Sequence, residues 1–198
     1  RPGACYIDMP DDIIQGECEL DDIVKVDRVP EPPKMIAPAE NIEAALNVLE
    51  SAERPLVLVG KGMAWAQAED EVRAFIDRTQ LPFVRSPMGK GVIPDDHPLA
   101  ASAARTLALQ QADVVFLMGA RFNWIFHFGL PPRFSPDVKV IQLDISPEEI
   151  GHNKPAEVAL VGDGKAIMSQ MNQALDGRQW FYPKDTPWPV SYTHLRAH

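Results

Sequence analysis

A chain of 198 residues that is 45% hydrophobic and 24% charged has the length and makeup of one globular domain with flanking segments. Its formal net charge of -9 argues against nucleic acid, which needs a basic stripe, yet leaves room for an anionic ligand held by a few placed cations. Two cysteines, Cys5 and Cys18, are too few for a disulfide framework, no Cys/His cluster suggests zinc, and no apolar run has membrane-spanning length.

In chain order, residues 4–8 predict a strand that ends at Pro10. The opening Arg1-Pro2-Gly3 has no initiator Met and reads as a truncation. From 11 to 38 the chain is acidic and Pro-rich, which predicts an extended linker. Ile42, Ala45, Leu46, Leu49 and Ala52 recur at helical spacing and predict a helix over 39–52. Pro55-Leu56-Val57-Leu58-Val59 is a continuous apolar run, as a parallel strand buried on both faces requires. A helix over 66–79 follows, then a brief strand at 81–84 and a helix over 101–111. Residues 113–118 form the best strand pattern in the chain, followed by strands at 139–143 and 158–161 and a closing helix over 165–176. The last nine residues, 190–198, continue no upstream pattern and read as a non-native adapter, so His194 and His198 are poor ligand candidates.

Strands alternating with helices predict an α/β fold, a doubly wound parallel sheet of Rossmann-like kind. Ligands of such sheets sit at the carboxyl ends of the strands. The residues after each apolar run therefore carry the functional argument: Lys61, the 86–98 loop, Arg121, Asp144 and Asp163.

Gly60-Lys61-Gly62 suits a phosphate-type turn, in which small residues let the backbone approach an anion and Lys61 adds charge. A plain turn with a surface lysine fits the spacing as well, since neither GxGxxG nor a P-loop is present. Arg121 can clasp a diphosphate with its planar fork, or pair with a carboxylate on the next loop. Asp144 can accept hydrogen bonds from a ribose, and Ser146 is the better candidate to cap the short helix that Pro147 announces. Asp163 is a second nucleotide contact or a helix cap. Lys90 and Arg105 can meet an anionic tail, or lie in a solvated loop. No nucleophile–base pair stands out. His97 precedes Pro98, and His127 lies in an apolar stretch where a lone histidine is more often a satisfied core residue than a general base.

Several separated blocks fall in order: Arg1-Pro2-Gly3-Ala4 with Ile7-Asp8-Met9-Pro10, Leu58-Val59-Gly60-Lys61-Gly62, Pro87-Met88-Gly89-Lys90-Gly91, Gly119-Ala120-Arg121-Phe122-Asn123-Trp124 and Ile141-Gln142-Leu143-Asp144-Ile145. Together, over residues 1–183, they resemble the thiamine-diphosphate decarboxylase and lyase superfamily. The similarity is to 2-hydroxyacyl-CoA lyases and the related oxalyl-CoA decarboxylases, and the segment His127-Phe128-Gly129-Leu130-Pro131-Pro132-Arg133-Phe134 resembles the lyase.

The resemblance implies a domain plan. Residues 1–10 would end an N-terminal pyrimidine-type domain, 11–38 would be a linker and 39–183 the central nucleotide-binding-type domain, with 184–198 unassigned. It also implies a carbon–carbon lyase that cleaves 2-hydroxyacyl-CoA to formyl-CoA and an aldehyde, using thiamine diphosphate and Mg2+ bound by parts outside this chain. Catalytic and metal-binding residues would accordingly be absent here, and Gly162-Asp163-Gly164, which opens like the family's magnesium motif, is rejected as a metal site because no Asn follows Asn172. For this domain it implies an ADP-like nucleotide at Arg1, Lys61, Arg121, Asp144, Asp163 and Gly164, although the family commonly has a branched apolar residue at Gly164. It implies an acyl-CoA substrate contact at Ser102, Ala103, Ala104, Arg105 and Thr106, a homo-oligomer, and a peroxisomal location in a eukaryote or a cytoplasmic one otherwise. Oxalyl-CoA decarboxylase and a non-catalytic nucleotide-binding scaffold are the alternatives. An NAD-dependent dehydrogenase is disfavoured by the missing GxGxxG.

Overall fold

The computed structural model describes residues 3–183 and 186–188. The chain divides after Pro33 into two units. The first is exposed throughout its described residues, with one short helix, α1 (Asp11–Ile14), and one 3-10 turn, Leu20–Asp22. The strand expected at 4–8 is not formed. A strand needs a neighbour to satisfy its N–H and C=O groups, and no described strand pairs with this segment. Cys5 and Cys18, both in this unit, are exposed free thiols.

The second unit begins at Lys34 and holds the core. Its sheet has five parallel strands in the order β2-β1-β3-β4-β5. They are β1 (Pro55–Val59), β2 (Phe83–Arg85), β3 (Val114–Met118), β4 (Lys139–Asp144) and β5 (Val158–Val161). Every residue of β1 and β3 is buried, which is why both read as unbroken apolar runs. Three helices pack on one another over one face: α2 (Ala39–Glu50), α4 (Glu69–Thr79) and α6 (Gly164–Leu175). Right-handed crossovers put α5 (Arg105–Gln111) on the other face.

The helix expected over 66–79 is α4, which starts three residues later, at Glu69, and the sequence reading missed a short helix before it, α3 (Lys61–Trp65), set directly on the Gly60-Lys61-Gly62 turn and parted from α4 by Gln67 at a left-handed φ of 52°. The helix expected from 101 opens as a 3-10 turn, Ser102–Ala104, before α5. Ser146 does not cap its short helix, Pro147–Glu149, with its side chain. Asp144 does part of that work instead, its Oδ1 accepting from the Ser146 N–H at 2.9 Å.

The amino ends of the strands are closed by their own contacts. The Asp113 carboxylate accepts from the Glu53 and Arg54 N–H groups, both at 2.8 Å, and so fixes the entry to β1 against β3. Packing also runs past residue 183, because Trp188 is buried and its Nε1 donates to Pro55 O at 2.8 Å. The C-terminal tail beyond Trp188 and residue Arg1 lie outside the described residues. The Asp113 and Trp188 contacts stand at the end of the sheet opposite the candidate site.

Candidate functional site

The strand order 2-1-3-4-5 reverses direction between β1 and β3, and the crevice beyond that reversal is where such sheets take ligands. Here the two turns that flank it touch through backbone. The Gly60 N–H donates to Met118 O at 2.8 Å and the Gly62 N–H to Gly119 O at 2.9 Å. A Cβ on Gly60 would stand 2.2 Å from Gly119 O, and one on Gly62 would stand 2.7 Å from Gly119 Cα. Gly119 itself sits at a φ of +56°. The glycines of both motifs are therefore required by contact between backbones. Lys61 lies between them, exposed, at the start of α3.

The seam continues across the sheet. Gly119 N–H donates to Leu143 O at 2.8 Å, and Gly162 N–H to Asp144 O at 3.0 Å. Gly164, buried at the start of α6, faces α3: a Cβ there would stand 2.5 Å from Met63 Cε. Lys61, Arg121, Asp144, Asp163 and Gly164 thus follow the carboxyl ends of β1, β3, β4 and β5 along one edge.

Arg121, Asp144 and Asp163 also have protein partners. Asp163 caps α6, with Oδ1 accepting from the Ala166 N–H at 3.0 Å and Oδ2 3.6 Å from Lys34 Nζ. Arg121 Nη1 lies 3.0 Å from Glu149 Oε1, a pair whose arginine is half-exposed and whose glutamate is largely covered. Glu149 is held in turn by Gln142, a buried polar residue inside β4. Gln142 Nε2 donates to Glu149 O at 2.8 Å, and its Oε1 accepts from the Gly151 N–H at 2.9 Å. Asn153 Nδ2 donates to Phe122 O at 2.7 Å. The loops after β3 and β4 therefore form one tied surface, with a shallow pocket lined by Arg121, Glu149, His152 and Lys154 among others. Sequence reasoning passed over Gln142, Glu149 and Asn153. The legible signal was a glutamine within an apolar strand, which needs partners when buried.

Residues 102–106 form a second group between β2 and β3. Ser102, Ala103 and Thr106 are exposed, Arg105 is half-buried and Ala104 is buried. Arg85, at the carboxyl end of β2, pairs with Asp95 and donates from Nη2 to Ser102 Oγ at 3.3 Å. Burial lowers the pKa of Arg85, and burial and then the charge of Arg133 lower that of Arg105. The 86–98 loop is anchored rather than simply solvated: Val92 and Ile93 are buried, and Arg73 donates to Val92 O and Gly91 O. Lys90 remains exposed. His127, expected in the core, is exposed at a φ of 47°, because the chain turns left-handed there and carries the ring outward. His97 bonds to Asp77 at 3.1 Å.

Among the described residues no three His, Cys, Asp or Glu side chains gather as a metal ion requires, and the Asp163 carboxylate of the GDG segment is engaged as a helix cap. The residues present do not fit a magnesium-diphosphate site. The space and the N–H of each seam glycine are taken by protein backbone, so the glycines serve the contact between the two turns, and Lys61 and Arg121 are the groups on this edge that could meet an anion.

Residues 42–171 match the family model for the thiamine pyrophosphate enzyme central domain, and the chain belongs to that family. Among individual relatives, it is 45% identical over 188 residues to 2-hydroxyacyl-CoA lyase 1 of Homo sapiens, covering 95% of this chain and 32% of that protein. It is 41% identical over 197 residues to 2-hydroxyacyl-CoA lyase of Arabidopsis thaliana, covering 96% of this chain and 34% of that protein. It is 43% identical over 175 residues to oxalyl-CoA decarboxylase of Escherichia coli (strain K12), covering 86% of this chain and 30% of that protein. The chain spans about a third of the length of these relatives.

Proposed function

We propose that a protein carrying this chain is a thiamine-diphosphate-dependent carbon–carbon lyase that cleaves 2-hydroxyacyl-CoA to formyl-CoA and an aldehyde. The observation that carries the reading is the 45% identity to a 2-hydroxyacyl-CoA lyase across 95% of the chain. Oxalyl-CoA decarboxylase, the alternative, aligns over a smaller share, 86%. Thiamine diphosphate, held with Mg2+ by residues outside this chain, would supply the carbanion-stabilising chemistry of the cleavage. This chain would bind and orient.

Its own contribution is a cradle for an ADP-like nucleotide. The seam at Gly60, Gly62 and Gly119 fixes the two turns against each other at the crevice, and Lys61 and Arg121 would supply cations for a diphosphate. Asp144 and Asp163 would accept from ribose hydroxyls, and Gly164, packed against Met63, belongs to the same reading by resemblance alone. Arg1 belongs to the same reading. Residues 102–106, with Arg105, would meet the acyl-CoA substrate. No helix of the described residues is long and apolar enough to cross a membrane, and the reading involves neither membrane nor nucleic acid. The whole enzyme would act as a homo-oligomer in fatty acid α-oxidation, in the peroxisome of a eukaryote or in the cytoplasm otherwise.

A protein of the relatives' full length containing this chain tests the reaction. It should release formyl-CoA from 2-hydroxyacyl-CoA. Turnover of oxalyl-CoA with no cleavage of the 2-hydroxyacyl thioester would overturn the choice. A second reading, a scaffold domain that binds no nucleotide, is favoured by one observation: Arg121 and Asp163 already have protein partners.

A further inference from the structure

Three arginines converge on residues 102–106, and their charges are not equally balanced. Arg85 has Asp95. Arg105 and Arg133 have no carboxylate partner among the described residues and bond only to neutral groups. Arg105 Nη2 donates to Ile125 O at 3.0 Å, and its guanidinium carbon lies 5.4 Å from the centre of the Phe126 ring. Arg133 Nη1 donates to Thr106 Oγ1 at 3.2 Å, which brings it beside the residue that follows Arg105. Both side chains are half-buried, so each has lost part of its water while facing a like charge. Among the described residues no carboxylate pairs with either of them to compensate. Each guanidinium carries five N–H donors and uses one of them on these neighbours, so a forked surface remains for a ligand.

A ligand that relieves this arrangement is doubly negative and rich in acceptor oxygens. A phosphomonoester fits, with a charge of about -1.5 to -2 and three acceptor oxygens near neutral pH. A carboxylate or phosphodiester brings one charge and leaves half of the repulsion in place.

We propose that Arg105 and Arg133 together seat a phosphomonoester dianion, with Arg133 as the residue that makes residues 102–106 select a ligand bearing one. The identity of that ligand rests on the acyl-CoA reading above, because coenzyme A carries a phosphomonoester on its ribose. The seat itself does not rest on it, and free phosphate shares the chemistry.

The test titrates the chain with coenzyme A and with 3′-dephospho-coenzyme A, which differ by that one phosphate. The unaltered chain should prefer coenzyme A by at least about tenfold, the value of a hydrogen bond to a charged group. Arg133→Ala should remove the preference and Arg133→Lys should keep part of it. Arg133→Gln, which can still donate to Thr106 without the charge, guards against a merely misfolded variant and should behave as Arg133→Ala does. A full preference surviving in Arg133→Ala or Arg133→Gln would overturn the proposal. If the unaltered chain binds neither form, the acyl-CoA reading fails, and inorganic phosphate then tests the seat alone. Phosphate should raise the melting temperature of the unaltered chain and raise it less in Arg133→Gln. An equal rise in both, or none in either, would overturn the seat as well.

Discussion

The Gly62 N–H donates to Gly119 O at 2.9 Å, so the turn after β1 is bonded to the turn after β3 at the point where the strand order reverses. That one bond explains why two separated glycine motifs belong to the same sequence. It also makes the seam intolerant of any side chain.

Gly60→Ala should therefore be costly. Its Cβ would stand 2.2 Å from a backbone oxygen, which cannot swing aside as a side chain can. We expect a loss of about 3 kcal/mol, the upper end of ordinary overpacking, read as a drop in the urea midpoint at constant slope. A variant as stable as the parent would mean that the two turns are not in contact.

Gln142→Leu should be destabilising although it replaces a polar residue by an apolar one of similar size in the core. Glu149 O and the Gly151 N–H would lose their partner, at about 1–3 kcal/mol. The Arg121–Glu149 pair should loosen with the loop. Amide exchange at Gly151 should quicken by more than the global change in stability accounts for.

These two positions mark how far the fold and the site are legible from the chain alone. The strand at 55–59 can be read to the residue because burial on both faces leaves a continuous apolar run, and the strand at 158–161 because it is apolar throughout, although alternate residues are only half-buried. The short helix α3 was not read because it is held by Gly60 and Gly62 rather than by an apolar stripe, so periodicity had nothing to detect. The strand expected at 4–8 was wrong for a different reason: a strand pattern records a preference, and its partner lies nowhere among the described strands. Lys61, Arg121, Asp144 and Asp163 were found by topology, since strand ends are predictable once strands are. Glu149 and Arg133 were not, because a charged residue between two strands carries no local mark of the partner it meets.

Asp163 separates two contributions. Asp163→Ala removes the cap from α6 and should cost about 1 kcal/mol. Asp163→Asn keeps an acceptor for the Ala166 N–H and loses only the charge facing Lys34, which is largely exposed and 3.6 Å away. Such a pair contributes little, so the asparagine variant should unfold close to the parent in urea. An asparagine variant as weak as the alanine one would assign the stability to the ion pair.

Tyr182 predicts an alkaline limit. Its ring is buried and its hydroxyl donates to Glu53 O at 2.6 Å. Burial pushes its pKa above the usual tyrosine value, against a smaller opposing effect of the bond to Thr186. The folded state thus holds this proton more tightly than the unfolded state. The stabilisation is complete below about pH 10, the unfolded value, and is lost as pH rises through the higher folded value. Urea midpoints should fall as pH rises above about 10, and Tyr182→Phe should flatten that part of the fall while lowering stability at pH 8 by about 1 kcal/mol. An unchanged slope in the phenylalanine variant would assign the alkaline loss elsewhere.

The central claim is that the crevice between β1 and β3 is a nucleotide cradle. Calorimetric titration of the chain with ADP tests it most directly. One molecule should bind per chain, with affinity lowered about tenfold or more in Lys61→Ala and in Asp144→Ala, each of which removes a charged partner. Absence of binding, or binding that neither substitution weakens, would contradict the claim and leave the domain a scaffold.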